Sequence, residues 1–136
     1  MTYASKTEVP VSRSQAEVQK MLLELGAERL AIIHMEYGVE LVFRIRGTSY
    51  RITAPDLPPA RDTQAARQQG ERSSWRALVL LVKAKKVAID QNITTIEREF
   101  MADTVMPDGS TLIEHHAAIV THNYKHDGPP LLGFDR

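Results

Sequence analysis

The stretch that decides the fold is residues 30–54, LAIIHMEYGVELVFRIRGTSYRITA. Between Gly38 and Gly47, apolar residues alternate with polar ones, which is the period-two pattern of a strand with one buried face. A second alternating run follows Gly47 and Thr48, and an isoleucine-rich apolar run precedes Gly38. We therefore predict a three-stranded antiparallel meander over residues 30–54, with a two-residue turn at Gly47 and Thr48.

The segment before the meander predicts a helix. Ser14 and Glu17 have the spacing of a capping box, in which two side chains satisfy backbone N–H groups at a helix start. The apolar residues that follow recur at helical spacing and form one stripe: Val18, Met21, Leu22 and Leu25. Gly26 ends this pattern, as glycine commonly does at a helix C-terminus.

The segment after the meander predicts three helices. Trp75 begins the apolar stripe of a long helix that ends near Asn92. Thr94 and Thr111 each precede a glutamate by three residues, so capping boxes predict two shorter helices, the last of which ends near Lys125. The result is an α+β fold, in which an N-terminal helix and a three-stranded meander precede three C-terminal helices packed on one sheet face.

Length and composition predict one domain. The 136 residues include no cysteine, which excludes structural disulfides and thiolate zinc sites. We expect a single domain over residues 1–136, with an extended lead-in at 1–11 and an irregular tail at 127–136. Residues 57–71 contain few large apolar side chains, and we expect a mobile linker there or a helix that packs weakly.

No part of the sequence predicts a membrane segment or a cofactor. Residues 1–10 contain no apolar run of the kind found in secretory signals. The longest apolar stretch, 77–82, is far shorter than the roughly 20 residues of a membrane span. We expect a soluble cytoplasmic protein with no membrane partner. Because glycine-rich nucleotide motifs and G-x-S-x-G are missing, the sequence predicts no cofactor and no catalytic residue. It leaves an enzymatic activity open and favours a non-enzymatic role.

The zero net charge of the chain conceals an uneven distribution. Residues 44–86 hold ten Lys or Arg against three Asp or Glu, a difference of +7. The rest of the chain holds seven against fourteen, a difference of −7. One interpretation is that the folded domain has a basic face and an acidic face. The alternative is that the two parts neutralise each other across the fold.

Three stretches of the chain form a pattern when they are taken together. They are residues 8–27 (EVPVSRSQAEVQKMLLELGA), 75–99 (WRALVLLVKAKKVAIDQNITTIERE) and 105–109 (VMPDG) with 129–132 (PPLL). This pattern resembles a widespread set of small, uncharacterised proteins encoded by tailed bacteriophages and prophages. The resemblance implies a phage origin and the cytoplasm of an infected bacterium. It implies no activity and no catalytic residues.

The predicted sheet carries three arginines: Arg44, Arg46 and Arg51. With the predicted turn, Arg44 lies opposite Arg51 and all three side chains share one face of the sheet. Directly opposed like charges are destabilising, so a compensating anion is expected. A phosphate backbone could supply it, because a guanidinium binds phosphate through two parallel hydrogen bonds. The alternative is compensation by Glu36, Glu40 or an acidic helix.

The predicted long helix carries a row of basic residues. At about 100° per residue, Arg72, Arg76 and Lys83 fall in a narrow sector opposite the apolar stripe, and Lys86 lies beside it. Such a row could follow a nucleic-acid backbone with salt-dependent affinity, or it could be an ordinary solvated face. Trp75 lies on the apolar stripe and is expected in the core, so stacking on single-stranded bases is poorly supported.

Histidines and carboxylates supply weaker signals. His122 and His126 are four residues apart on the last predicted helix, a spacing that can hold one metal ion. A third ligand would have to come from Glu114, His115 or Asp127. Because H-E-x-x-H is missing, we expect no metal site. Four acids lie near a helix start and a turn: Glu97, Glu99, Asp103 and Asp108. Helix-dipole effects account for the first two without a function.

Three hypotheses for the function follow. The first is a non-enzymatic phage accessory protein that binds nucleic acid or another polyanion through the basic sheet face and the helix row. The second is a phage protein that binds and modulates a host protein or sequesters an anionic nucleotide. The third is a metal-dependent hydrolase that uses the two histidines and the acidic cluster. An acidic protein partner would explain the same basic residues, and the apolar helix stripes leave a homodimer open.

Overall fold

The computed structural model describes residues 7–36, 38–55 and 63–125. The strands are β1 (Ala27–Met35), β2 (Gly38–Ile45) and β3 (Thr48–Pro55). The helices are α1 (Val11–Glu24), α2 (Gln64–Asp90), α3 (Ile96–Glu99) and α4 (Leu112–Lys125), with a 3₁₀ turn at Met101–Asp103. The predicted α+β fold is confirmed: a helix precedes an antiparallel sheet of order β1-β2-β3, and helices follow it.

The turn between β2 and β3 differs from the predicted one by one residue. Ile45 pairs with Thr48, so the turn residues are Arg46 and Gly47, whose φ angles are 51° and 82°. Tight hairpin turns of this kind require positive φ at both central residues. Thr48 is β-branched and resists such a conformation, which accounts for the shift. The register therefore changes, while the paired side chains of β2 and β3 keep their predicted faces and Arg46 moves into the turn.

One hydrophobic core lies between one face of the sheet and the helices α1, α2 and α3. From β2, the alternate residues enter it: Val39, Leu41, Phe43 and Ile45. Trp75 is buried in this core as predicted, and the aromatic rings of Phe43, Tyr50 and Phe100 meet with centroids 5.2–5.7 Å apart. Burial of such side chains contributes about 1.5–3 kcal/mol each, so the core is the main source of stability.

The predicted capping box at Ser14 is wrong. α1 begins at Val11, with Pro10 at its N-cap and no side-chain hydrogen bond there. Proline is favoured at helix starts because its missing N–H would have no partner. Ser14 therefore lies inside the helix and faces the core, where its fully buried Oγ has no hydrogen-bond partner in the part of the chain that the structure describes.

The two other predicted caps have different outcomes. Thr95, not Thr94, caps α3: its Oγ accepts a hydrogen bond of 3.2 Å from the N–H of Arg98. α3 is a single turn, shorter than the predicted helix. Thr111 caps α4 as predicted, because its Oγ accepts from the N–H of Glu114 at 3.4 Å. The described part of α4 runs to Lys125, where the described residues end.

The predicted linker is helical where the structure describes it. α2 begins at Gln64, and the Oγ of Thr63 caps it by accepting a 3.1 Å hydrogen bond from the N–H of Ala66. Good helix formers support this exposed end of α2 without large apolar side chains. Residues 57–62 of the linker and the predicted tail, 127–136, lie outside the described residues. No helix in the described ranges combines the length and apolarity needed to cross a membrane.

Candidate anion-binding site

The structure changes the predicted partners of the sheet arginines. Arg44 lies opposite Ser49, and Arg51 lies opposite Val42, so the predicted opposition of Arg44 and Arg51 is wrong. Arg46 belongs to the turn and does not share the face of the other two. The error follows from the turn, because a shift of one turn residue moves every cross-strand partner on β3 by two positions.

Two of these arginines have carboxylate partners. The Nη1 of Arg46 lies 3.3 Å from Oε1 of Glu97, at the start of α3. The guanidinium of Arg51 donates to the carbonyl oxygen of Gly109 at 2.8 Å and to Oε1 of Glu114 at 3.0 Å. The predicted set of three uncompensated arginines on one face is therefore wrong, and Arg51 serves to fasten the start of α4 to the sheet.

The basic row on α2 faces α1 in part, instead of facing only solvent. Arg76 donates to both carboxylate oxygens of Glu17, with distances of 3.3 and 3.1 Å. The Nζ of Lys86 lies 3.3 Å from Oε2 of Glu24 and 2.5 Å from Oδ2 of Asp90. α1 and α2 pack side by side, which brings these acids to the row. A continuous row free for a nucleic-acid backbone is therefore not what the structure shows.

The two remaining members of the row differ from each other. Arg72 is half-buried and donates to Oε1 of Gln69 at 2.6 and 3.2 Å. Lys83 is exposed, and no carboxylate in the described ranges lies within 4.0 Å of it. A single exposed lysine is a weak anion site, since its flexible ammonium binds as a point charge.

The fold cancels part of the uneven charge distribution. Ion pairs join bases of residues 44–86 to acids outside that segment: Arg46–Glu97, Arg51–Glu114, Arg76–Glu17, Lys86–Glu24 and Lys86–Asp90. The second interpretation of the charge map, neutralisation across the fold, therefore holds for these residues. Partly exposed pairs of this kind contribute modest stability, and they make these charges less available to an external anion.

The Glu17–Arg76 pair makes the stability depend on pH. The hydrogen bond from Arg76 lowers the pKa of the Glu17 carboxyl below its ordinary value of 4.5. Because the pKa of Glu17 is lower in the folded state, its ionised carboxylate stabilises the fold above pH 4.5. That stabilisation is lost as the pH falls through the lower, folded-state pKa. Glu17 is 34% exposed, so after solvent screening we expect Glu17→Gln to cost about 1 kcal/mol at neutral pH.

Urea unfolding at several pH values measures this contribution. The difference between wild type and Glu17→Gln is expected to shrink as the solution is acidified below pH 4.5. Glu8→Gln is the matched control, because Glu8 is exposed and has no ion pair in the described part of the chain. A pH-independent difference for Glu17→Gln would contradict the assignment to this ion pair.

A different pair of arginines lies together on the sheet face away from the core. Arg29 on β1 lies directly opposite Arg44 on β2, and Ser49 on β3 lies opposite Arg44 on the other side. Both arginines are exposed, and neither has an ion pair or side-chain hydrogen bond to any described residue. The Nη2 of Arg44 is beside the turn, 4.0 Å from where a Cβ on Gly47 would lie. We call Arg29 and Arg44 the arginine pair.

The arginine pair borders an open concavity of about 540 Å³. Its lining also includes Ala31, Val42 and Ser49, so an apolar floor of Ala31 and Val42 lies beside the row formed by Arg29, Arg44 and Ser49. That volume is within the range of sites for small ligands or single groups of a larger one. The two guanidinium groups offer positive charge and only donors, and the hydroxyl can also donate, which suits a phosphate or carboxylate oxygen.

Sequence reasoning missed Arg29 because it started the first strand at Leu30. β1 begins at Ala27, and its register with β2 shifts between Ala27 and Arg29, as at a β-bulge. The bulge puts Arg29 on the open face, although Ala27 packs against the core. The available signal was Gly26, which ends α1 and leaves the chain free to begin a strand at once.

The histidines and acids form no metal site in the described residues. His122 is exposed on α4, and His126 lies outside the described ranges. Within those ranges, no three His, Asp or Glu side chains are placed to share a metal ion. Burial raises the pKa of the Asp103 carboxyl, and the nearby charge of Lys85 opposes that shift. An isolated, partly buried carboxyl is not the converging acid pair that two-metal chemistry requires.

The chain was compared with family models, with curated proteins and with solved structures, and none of the three comparisons found a match. The arginine pair and its surroundings are therefore the features of the chain that point to a function.

Proposed function

We propose that this chain is a non-enzymatic binding protein that takes a phosphate polyanion, a nucleic-acid strand, on the open face of its sheet. The observation that carries the proposal is the direct opposition of Arg29 and Arg44 without a carboxylate partner among the described residues. Most other bases of the segment 44–86 with described side chains have a partner, whereas Arg44 of that segment and Arg29 of β1 have none among the described residues. The sequence resemblance supports placing it among phage accessory proteins.

The arginine pair is destabilised until an anion binds to it. Directly opposed like charges on neighbouring strands raise the free energy of the folded state. A phosphate between them relieves that repulsion and forms charge-assisted hydrogen bonds, each contributing about 1.5–3 kcal/mol. The apolar floor of Ala31 and Val42 can accept the sugar or base next to that phosphate. Such binding is not selective for sequence, because phosphates carry no sequence information.

Fluorescence anisotropy with a labelled oligothymidylate at several salt concentrations tests the proposal. The variant Arg29→Gln/Arg44→Gln is expected to bind at least about tenfold more weakly, since two charge-assisted contacts are lost. Its salt dependence should also fall, by about 0.7 in the logarithmic slope for each arginine removed.

Arg46→Gln is the matched control, because Arg46 is exposed on the neighbouring turn but is paired with Glu97. We expect its affinity to stay close to that of the wild type. Equal losses for the control and the double variant, or no binding of the wild type at low salt, would contradict the proposal. Polyglutamate of the same charge is the second probe: if it binds as tightly as the oligonucleotide or more tightly, the site does not select phosphate and the nucleic-acid proposal is contradicted.

A further inference from the structure

The two edges of the sheet differ in how far their backbone groups are paired. The outer edge of β3 is partly covered, because Tyr50 forms a bridge with Thr104 and the N–H of Val105 donates to the carbonyl oxygen of Ser49 at 2.9 Å. The outer edge of β1 pairs with no residue in the described ranges. An unpaired edge of nine residues offers a row of backbone donors and acceptors to another strand.

The side chains of β1 are unusually apolar for a free edge. Ile33 is 45% exposed and Met35 is 39% exposed on the open face of the sheet. On the other face, Leu30 and Ile32 are only partly buried at the margin of the core. Natural edge strands are commonly protected by charges, prolines or short length. From Leu30 to Met35, β1 has none of these apart from His34, which favours a partner strand on this edge.

We infer that β1 pairs with β1 of a second copy in antiparallel orientation, which joins the two sheets into one of six strands. The strand is self-complementary about its middle residue, Ala31. With a two-fold axis there, residues 29–33 of each copy, which form the regular stretch after the bulge, pair with one another. Leu30 then lies opposite Ile32 of the second copy, which extends the core margin, and Arg29 lies opposite Ile33, so no like charges face each other.

Neighbouring registers are less favourable. An axis at Ile32 places Leu30 opposite His34, an axis at Leu30 brings the bulge of each copy opposite Ile32, and an axis at Arg29 places two arginines opposite each other. Registers whose axis passes between two residues are excluded because they would place core-facing side chains of one copy opposite open-face side chains of the other. The inference goes beyond the proposed binding function and does not depend on it.

The absence of cysteine from the sequence makes a register test possible. Ala31→Cys places one thiol on the axis, directly opposite its copy and close enough for a disulfide. Ile33→Cys places thiols about 13 Å apart along the paired strands, four residues out of register. Ala84→Cys is the surface control, because Ala84 is exposed on α2. We expect Ala31→Cys to form disulfide-linked dimers at least about tenfold faster than either of the others.

Sedimentation velocity of the wild type needs no substitution, so misfolding of a variant cannot affect it. We expect it to show a dimer. Ile33→Lys should weaken that dimer, whereas Ile93→Lys should not, although Ile93 is 76% exposed on the loop after α2. A wild type that stays monomeric at all accessible concentrations would overturn the inference. A dimer that forms disulfides as fast through Ile33→Cys or Ala84→Cys would overturn it as well. Because these measurements involve no oligonucleotide, their failure is separate from a failure of anion binding.

Discussion

Replacing Phe100 by alanine is expected to lower the free energy of unfolding by about 3–5 kcal/mol. The Phe100 side chain is fully buried, with its ring centroid 5.2 Å from that of Phe43 and 5.7 Å from that of Tyr50. It is packed edge-on to Phe43 at 80°, and the Nζ of Lys85 lies 5.4 Å from its centroid. Alanine removes these contacts and leaves a cavity, because neighbours on two strands and α2 cannot all move inward.

The comparison with Phe100→Leu separates the loss of the cavity-filling volume from the loss of the ring. Leucine keeps most of the apolar volume, so we expect it to cost about 1.5 kcal/mol. Urea unfolding followed by the fluorescence of Trp75, the one tryptophan of the chain, measures both variants. The two variants should differ in how much free energy of unfolding they lose. If the two losses are equal, or if the loss for alanine is below about 1 kcal/mol, Phe100 does not join α3 to the sheet as described.

Replacing Gly38 by alanine is expected to cost about 3 kcal/mol or more. Gly38 begins β2 with a φ of 149°, and a Cβ there would lie 2.5 Å from the carbonyl oxygen of Ala54 and 2.9 Å from Cα of Pro55. Both contacts are to backbone of the paired strand β3, so they can be relieved only by separating the two strands. The substitution thus combines backbone strain with a steric clash.

Gly26→Ala is the matched control for Gly38→Ala. Gly26 also has a positive φ, 99°, but a Cβ at that position would meet nothing within 4 Å. We expect it to cost only the conformational strain of about 1–2 kcal/mol. Thermal unfolding of the two variants side by side gives the difference. If Gly26→Ala were the more destabilising of the two, the close approach of the strands at Gly38 would not be the dominant effect.

The strand faces could be predicted from the sequence because they depend only on local alternation. The buried positions of β2 follow from period two, and an error at the turn did not disturb them. The partners across the strands could not be predicted in the same way. They depend on whether Arg46 or Thr48 adopts a positive φ. That choice is decided by a small local energy difference between two similar turns.

The candidate site was the least predictable part. Arg44 was identified from its position on the sheet, but its partner Arg29 was not, because the bulge near the start of β1 has no clear sequence signal. The basic row was predicted as a surface, whereas Glu17 and Glu24 neutralise two of its members. Those pairs exist only after α1 packs against α2, a contact between residues about 60 positions apart that helical periodicity does not encode.

The arginine pair is tested most directly by NMR of the arginine Nε–Hε groups during titration with oligothymidylate. We predict that the signals of Arg29 and Arg44 shift together with one dissociation constant, and that those of Arg46 and Arg51 stay in place because carboxylates already hold them. Shifts confined to Arg46 and Arg51, or no shift at any of the four arginines, would contradict the account.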